Sequence, residues 1–509
     1  MRKSLSLWLG FGAMCVGMFM AILDIQVVAS SLTTIGAALD IPISRLGWIQ
    51  TGYLMAEVIA IPMTGLLTRA LSLRWMFVIA TLGFTLASLG CALSTRFESL
   101  IAIRIVQGFC GGMLIPAVFT SVFVMIPEKY HVVATTIAGA FAVVAPTIGP
   151  AVGGYLTETY SWHWIFLVNL LPGMIVIAMV VTFVRSGVQD LSTFRRIDYF
   201  TIVFASVFLA TLELFLSEAP RHNWQGAYIF SLGGICLVSG ALGVWRSLTH
   251  ATPFIDLHRF RNDAFSVGCG LSFVFGFGLY GSVYILSLFL GLVREHTPLA
   301  IGEIMMVSGA AQLVMSPVAA ILERRVNCRL LTALGFGLFG AGLLANGFTT
   351  QQTDFDGLFW PQIMRGFAVM FCLLPATRLA LEGWPHEDIP DASGLFNLMR
   401  NLGGAIGIAA IDTILQQRTP VHVSAFIARL QQGDPAAARL VGLPVAMFRG
   451  HAMGPVDDLT KAMIAPMVRR AAMAESFNEA WFMVAGLFAV SLLVLLCMRR
   501  VKQAIPESP

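Results

Sequence analysis

The 509-residue sequence predicts an all-α integral membrane protein of fourteen transmembrane helices, built as two six-helix repeats with two extra helices between them. Three observations carry that expectation. Hydrophobic residues make up 57% of the chain and charged residues 12%, with a mean hydropathy of +0.80, whereas soluble domains are about 25% charged. Apolar windows of about 20 residues recur, the helical length that a bilayer core of about 30 Å requires. The chain also echoes itself at an offset of 255 residues.

This composition excludes disordered, coiled-coil and soluble-enzyme classes. The formal charge of +4 carries no argument for nucleic acid, because in a membrane protein the distribution of basic residues among loops is what matters. The 48 glycines suit close helix approach, and the 37 phenylalanines suit contact with lipid. Cysteines 15, 91, 110, 236, 269, 328, 372 and 497 lie in or beside apolar runs without CxxC spacing, so they read as buried small residues and form neither a disulfide frame nor a metal site.

Taken in order, the spans fall near 8–31, 46–67, 75–95, 99–125, 132–155, 163–184, 198–216, 226–247, 264–291, 299–321, 329–348, 356–380, 392–415 and 477–498. The first follows Met-Arg-Lys but is too long for a signal peptide and lacks a small-x-small cleavage site, so it reads as a retained helix. Lysine and arginine set the orientation. With the N-terminus cytoplasmic, inside segments hold about 18 of them and short outside loops about four (Arg45, Arg96, Arg221, Arg294), which puts both termini in the cytoplasm. A long outside loop, 416–476, carries seven more, and its periodic stretches, such as 456–473, suggest amphipathic helices lying at the outer face.

The repeat defines the domains. PMTGLLTRALSLR from Pro62 aligns without gaps with PVAAILERRVNCR from Pro317, placing Arg69 on Arg324 and Arg74 on Arg329. IVQGF ending at Phe109 echoes IMRGF ending at Phe367, and IGPAVGG ending at Gly154 echoes LGGAIGI ending at Ile408. The division is therefore 1–190 for the first bundle, 191–255 for two inserted helices, and 256–509 for the second bundle with its long outer loop. Two parallel repeats with a site between them are the architecture of a rocking secondary transporter.

Ionisable residues at membrane depth are costly and are functional candidates by default. Asp24 on helix 1 and Arg104 on helix 4 lie at matching depths, about 8–10 Å below the outer surface at about 1.5 Å per residue. They form either a proton switch, in which release of the arginine lets the aspartate take a proton, or a fixed ion pair that registers two helices. Glu57 sits nearer the midplane and is either a second proton site or a helix-to-helix hydrogen bond. Arg365 and Arg400 lack an acidic neighbour in the same turn; they either bind an anionic substrate group or bond to backbone carbonyls. Glu213 and Glu303 lie nearer helix ends and are weaker candidates. In helix 5, AVVAPTIGPAVGG spaces Pro146 and Pro150 four apart, with Ala145, Gly149 and Gly153 on the same period and Gly154 beside them. That is a flat, bent helix, either a gate or ordinary small-residue packing.

Together these residues resemble the major facilitator superfamily, specifically its fourteen-helix drug:proton antiporters of the EmrB/QacA type. LDIQVVASSL from Leu23 looks like the helix 1 motif, with Asp24 in the acidic position. RIVQGFCGG from Arg104 matches the helix 4 motif, including Gln107, Gly108, Gly111 and Gly112. Gly149-Pro150-x-x-Gly153-Gly154 matches the antiporter motif of helix 5. WHWIFLVNLLPG from Trp162 and RNLGGAIG from Arg400 resemble further signatures of that branch, and the likeness covers essentially the whole chain.

There are two departures. GLLTRALSLR, from Gly65 to Arg74, puts Arg69 where the superfamily loop has aspartate and Ser72 where it has a second glycine, and His163 stands where arginine is usual. The first puts a gate built on that aspartate in doubt. His163, near the outer interface, has either a pH-sensing or a simple hydrogen-bonding role.

The resemblance implies a non-enzymatic exporter in the bacterial inner membrane, without cofactor, using the proton gradient to expel hydrophobic or amphipathic compounds. Asp24, Glu57 and Arg104 would couple protons; Gln26, Gln107, Arg365, Asn397 and Arg400 are candidates for the cavity. The alternative is a dedicated exporter of one metabolite, such as an aromatic acid, fatty acid or siderophore, with Arg400 or Arg365 reading its carboxylate. Beyond substrate, protons and lipid, the implied partners are a periplasmic adaptor and an outer-membrane channel, with the long outer loop as their natural contact. Clustered catalytic residues of a membrane transferase are missing from the pattern: Asp263, His386 and Asp391 are scattered over loops.

Overall fold

Because the bilayer offers no hydrogen-bonding partners, the backbone of each span must satisfy itself, and helices are what this sequence forms throughout. The computed structural model describes residues 2–41, 45–185, 187, 189–190, 198–250, 255–445 and 458–497. The basic residues Arg195, Arg196, Arg499, Arg500 and Lys502 lie outside them, as do residues 456–457 of the stretch 456–473 and the side chain of Arg324.

The first half comprises α1 (Arg2–Ala38), α2 (Trp48–Ala92), α3 (Phe97–Met125), α4 (His131–Thr159), α5 (Trp164–Leu167) and α6 (Leu170–Phe183). Then come α7 (Tyr199–Glu218) and α8 (Ala227–Thr249), which pack on each other and, through α7, on α2. The remainder is α9 (Asp263–Leu288), α10 (Pro298–Arg325), α11 (Cys328–Asn346), α12 (Phe355–Leu381), α13 (Ile389–Gln431), α14 (Pro435–Val441) and α15 (Asp458–Cys497). Short polar side chains start several of these helices by accepting orphan backbone N–H groups: Asp198 for α7, Asn262 for α9, Asn327 for α11 and Asp354 for α12.

Among the described residues twelve helices are long and apolar enough to cross a membrane, or thirteen when the bent pair within α4 is taken as one. Helix α2 runs over 45 residues, enough at about 1.5 Å per residue for two crossings of a bilayer core of about 30 Å. It absorbs two expected spans, 46–67 and 75–95, across a break at Ser72, whose φ of 70° and ψ of 155° are not helical. In the second half the matching junction is an open break, with Val326 and Asn327 extended between α10 and α11.

The halves meet along α2 with α13, α3 with α13, and α4 with α10 and α12. Glycines set the tightest of these approaches, since a Cβ on Gly302 of α10 would lie 2.6 Å from the Ala151 backbone of α4. Much of α7 and α8 instead faces outward, with Leu237 75% exposed, as expected of helices that meet lipid.

The region expected as a long outer loop with amphipathic helices is helical over most of its described residues, largely as continuations of α13 and α15. α13 continues without interruption through Pro420 to Gln431, and α15 is already helical from Asp458. Between them α14 closes a separate apolar cluster of Phe426, Leu430, Ala437, Ala438, Val441, Val468, Ala471 and Ala472. Arg418 grips Glu479 with two bonds of 2.6 and 2.7 Å, and His422 joins the same carboxylate at 2.9 Å. Two membrane helices are thus prolonged into a small packed domain of their own.

Candidate functional site

Asp24 and Arg104 meet. Both are essentially excluded from solvent, at 1% and 0% exposure, and the arginine's Nη1 donates to the Asp24 carboxylate. Removing either partner would strand a buried charge. Residues of α2, α3 and the start of α6 bond to most of the pair's remaining polar atoms, while Arg104 Nη2 is buried without a partner among the described residues. Gln107 donates to Asp24 Oδ1 at 3.1 Å and to Ser88 Oγ at 2.8 Å, and its own Oε1 accepts from Arg104 at 2.8 Å. Asn169 donates to Asp24 Oδ1 at 2.9 Å. Arg104 Nε donates to the Ile49 carbonyl at 3.3 Å, and the guanidinium lies 4.3 Å from the Tyr53 ring centroid. The arginine therefore has places to go besides the carboxylate: an amide oxygen, a carbonyl and an aromatic face.

The second half holds an altered copy of this arrangement. The step of 258 residues from Phe109 to Phe367 carries Gln107 onto Arg365, Arg104 onto Gln362 and Asp24 onto Ser282. Arg365 Nη1 donates to Gln362 Oε1 at 2.9 Å, the arginine–glutamine pair in reversed order, and Nη2 donates to Ser282 Oγ at 2.6 Å. Where the first half has a carboxylate, the second has a hydroxyl. Arg365 is packed between Phe339 and Trp481, inside its own half.

Between the halves lies a cavity of about 100 Å³, lined among others by Gln26, Gln50, Glu57, Glu213, Tyr280 and Asn401. Of the sequence-derived candidates it gathers Gln26 and Glu57, while Gln107 belongs to the Asp24 network. Asn397 and Arg400 are paired with each other on α13, off the cavity wall, with Arg400 5.4 Å from the Phe119 ring of the opposite half. Glu57 is 3% exposed, and no hydrogen bond or ion pair is made by its carboxylate among the described residues.

Helix α4 bends by 46° between Pro146 and Ile148, as its paired prolines predict, and Pro146, Gly149, Pro150, Gly153 and Gly154 are all buried. Its glycine face lies on α1: a Cβ on Gly149 would come within 2.3 Å of Gln26 Cβ, and one on Gly153 within 2.8 Å of the Val27 carbonyl oxygen. The antiporter-motif helix thus touches the helix that carries Asp24 and Gln26. His163 stacks on Trp162 with centroids 3.9 Å apart and lies 3.3 Å from Ser161 Oγ.

Several residues of the site are not singled out by the sequence pattern. Asn169 sits inside the WHWIFLVNLLPG stretch, where its polarity in an apolar run is the available signal. Glu213, which the sequence offers only as a weaker candidate, reaches the cavity because α7 packs on α2. Asp412, an acid within the span 392–415, accepts from Tyr284 Oη at 2.6 Å. At the Thr51 end of the bundle, the last turn of α7 and the turn after it bridge both halves: Ser217 and Thr51 hydroxyls are 3.3 Å apart, and Trp224 Nε1 donates to Thr413 Oγ1 at 2.9 Å.

Comparison with known proteins places these features in context. The family model described as Major Facilitator Superfamily matches residues 14–408. The chain is 40% identical to the colistin resistance protein EmrB of Acinetobacter baumannii over 82% of each chain. It is 27% identical to the multidrug export protein EmrB of Escherichia coli, over 94% of this chain and 93% of the relative. Among solved structures, the human organic anion transporter MFSD10 shares the fold with a TM-score of 0.61 and 13% identity, covering 96% of this chain and 99% of that one.

Proposed function

Since the chain belongs to the Major Facilitator Superfamily, we propose that it is a proton-driven exporter that moves hydrophobic or amphipathic compounds outward across the bacterial inner membrane. It crosses the bilayer fourteen times, with α2 providing two crossings divided at Ser72, α4 one despite its bend, and α5 with α6 one. Both termini are cytoplasmic, as the basic loops favour. Residues 1–190 and 256–509 are the two rocking bundles, and 191–255 the insert.

The observation that carries the reading is the buried Asp24–Arg104 pair with its hydrogen bonds to Gln107 and Asn169. A proton arriving from outside neutralises Asp24, and Arg104 shifts its bonds to Gln107, the Ile49 carbonyl and the Tyr53 face. When the cavity opens inward the proton leaves, the pair re-forms and substrate enters between the halves. Glu57, unpartnered in the cavity, is a second acid that can exchange a proton for substrate. The bend and glycine face of α4 let its outer end move against α1 as a gate. The packed extension of α13, α14 and α15 on the outer side is the contact for a periplasmic adaptor and, through it, an outer-membrane channel. The names of the relatives, colistin resistance for one and multidrug export for the other, support this reading.

The test is drug-driven proton release in proteoliposomes. Wild type is expected to release protons on addition of substrate, and Asp24→Asn to lose that release while still folding. Undiminished coupling in the variant would overturn the assignment of Asp24.

A further inference from the structure

The inserted helices separate the two repeats in sequence, yet one of them walls the central cavity. Glu213 on α7 lines the same cavity as Glu57 on α2. Both charged side chains that line the cavity are carboxylates. Neither Arg104 nor Arg400 lines the cavity, and both have other partners: Arg104 holds Asp24 and Gln107, and Arg400 holds Asn397 beside the Phe119 ring. Two acids lining one small cavity, neither with a hydrogen bond or ion pair among the described residues, need a positive counter-charge or protons when the site closes.

The rest of the wall is apolar, formed by Ile22, Ile25, Leu54, Val58, Ile115 and Ile408, with Gln26, Gln50, Tyr280 and Asn401 as hydrogen-bonding groups. A volume of about 100 Å³ holds about three waters or a compact cationic head, at about 30 Å³ per water. The complementary ligand is an apolar body carrying a positively charged nitrogen. Arg365, the obvious reader of an anion, is enclosed within the second half with Ser282 and Gln362.

We infer that Glu213 of the inserted helix is a specificity-determining residue of the transport cavity, forming with Glu57 a dicarboxylate that receives amphipathic organic cations. The inference rests on the export reading above. Protons and the cation compete for the same two carboxylates, so loading with one expels the other.

The experiment uses the full chain in proteoliposomes with an imposed pH gradient, with ethidium as the cationic probe and dodecanoate as the anionic one. Wild type is expected to transport ethidium in preference to dodecanoate. Glu213→Gln is expected to raise the half-saturating ethidium concentration at least tenfold with a smaller change in maximal rate, and Glu213→Asp to restore most of the affinity. Glu303→Gln, altering an exposed carboxylate of α10 outside the cavity, serves as the control and is expected to behave as wild type. Transport of dodecanoate but not ethidium, or an unchanged half-saturation in Glu213→Gln, would overturn the inference while leaving export intact. Gradient-driven flux of neither probe would overturn the export reading itself. Monodisperse elution of each variant in detergent separates loss of function from loss of fold.

Discussion

Arg69, in the first half, forms an ion pair with Asp391, at the start of α13 in the second half. The arginine stands where the superfamily pattern has aspartate, so the charge at this junction is reversed, and the acid comes from the opposite half. Arg259 reinforces it, donating to Asp388 at 2.7 Å and reaching Asp391 at 3.5 Å while lying 5.0 Å from the Trp384 ring centroid. Gly65 lets the helices approach: a Cβ there would sit 3.0 Å from the backbone nitrogen of Asp391. Arg69 and Asp391 are 35% and 20% exposed, so their coupling is expected to be about 1 kcal/mol, or about fivefold in an equilibrium. A double-mutant cycle of Arg69→Ala and Asp391→Asn, read as transport rate, is expected to be non-additive by that amount. Strict additivity would show that the pair does not hold the halves together.

Ser72 adopts backbone angles that glycine tolerates and L-residues rarely do. Ser72→Gly is expected to raise stability by about 1 kcal/mol, seen as an increase in the unfolding temperature of the purified protein. A lower unfolding temperature would mean that the serine side chain contributes more than the strain costs.

Arg104→Lys keeps the positive charge next to Asp24 but loses the fork that also reaches Gln107 and Ile49 and the flat face that covers Tyr53. Substrate-driven proton release is therefore expected to fall about tenfold or more, since the network breaks at a buried charge. Near-normal coupling in the lysine variant would reduce Arg104 to a point charge.

Asp354, outside the spans, caps α12 and is held down to a pKa of about 2, first by the hydrogen bond from Arg294 and also by bonds from His296 and the Phe355 N–H. A carboxyl with a depressed folded-state pKa contributes stability that is present above its unfolded value of about 4 and is lost as pH falls through 2. The destabilisation caused by Asp354→Asn is therefore expected to be similar at pH 5 and pH 8 and to shrink below pH 4. The side chain is 40% exposed, so solvent screening keeps the effect small. Thermal unfolding across that range checks the sign.

Hydropathy and charge depth made the helices and the Asp24–Arg104 pair legible, because lipid punishes an unmatched charge and two matching depths leave few arrangements. In 416–476 periodicity made amphipathic helices legible, but not that they prolong α13 and α15 and pack on each other through Arg418 with Glu479 and the Phe426–Val468 cluster. Glu213 looked peripheral because distance from a helix end says nothing about which neighbour the helix packs on. Asp391 looked like one of several scattered loop acids, and only the fold brings it to Arg69.

The turn between α7 and α8 is tied to one half through Ser217 and Thr51 and to the other through Trp224 and Thr413. Separation of the halves at that end must break one of these ties, the hydroxyl contact of 3.3 Å or the indole bond of 2.9 Å. Trp224 also lies against Phe215, with ring centroids 5.5 Å apart, so its release changes both its polarity and its quenching. With the other nine tryptophans replaced, the protein would carry its own optical clock, reporting each opening of that mouth without an added label.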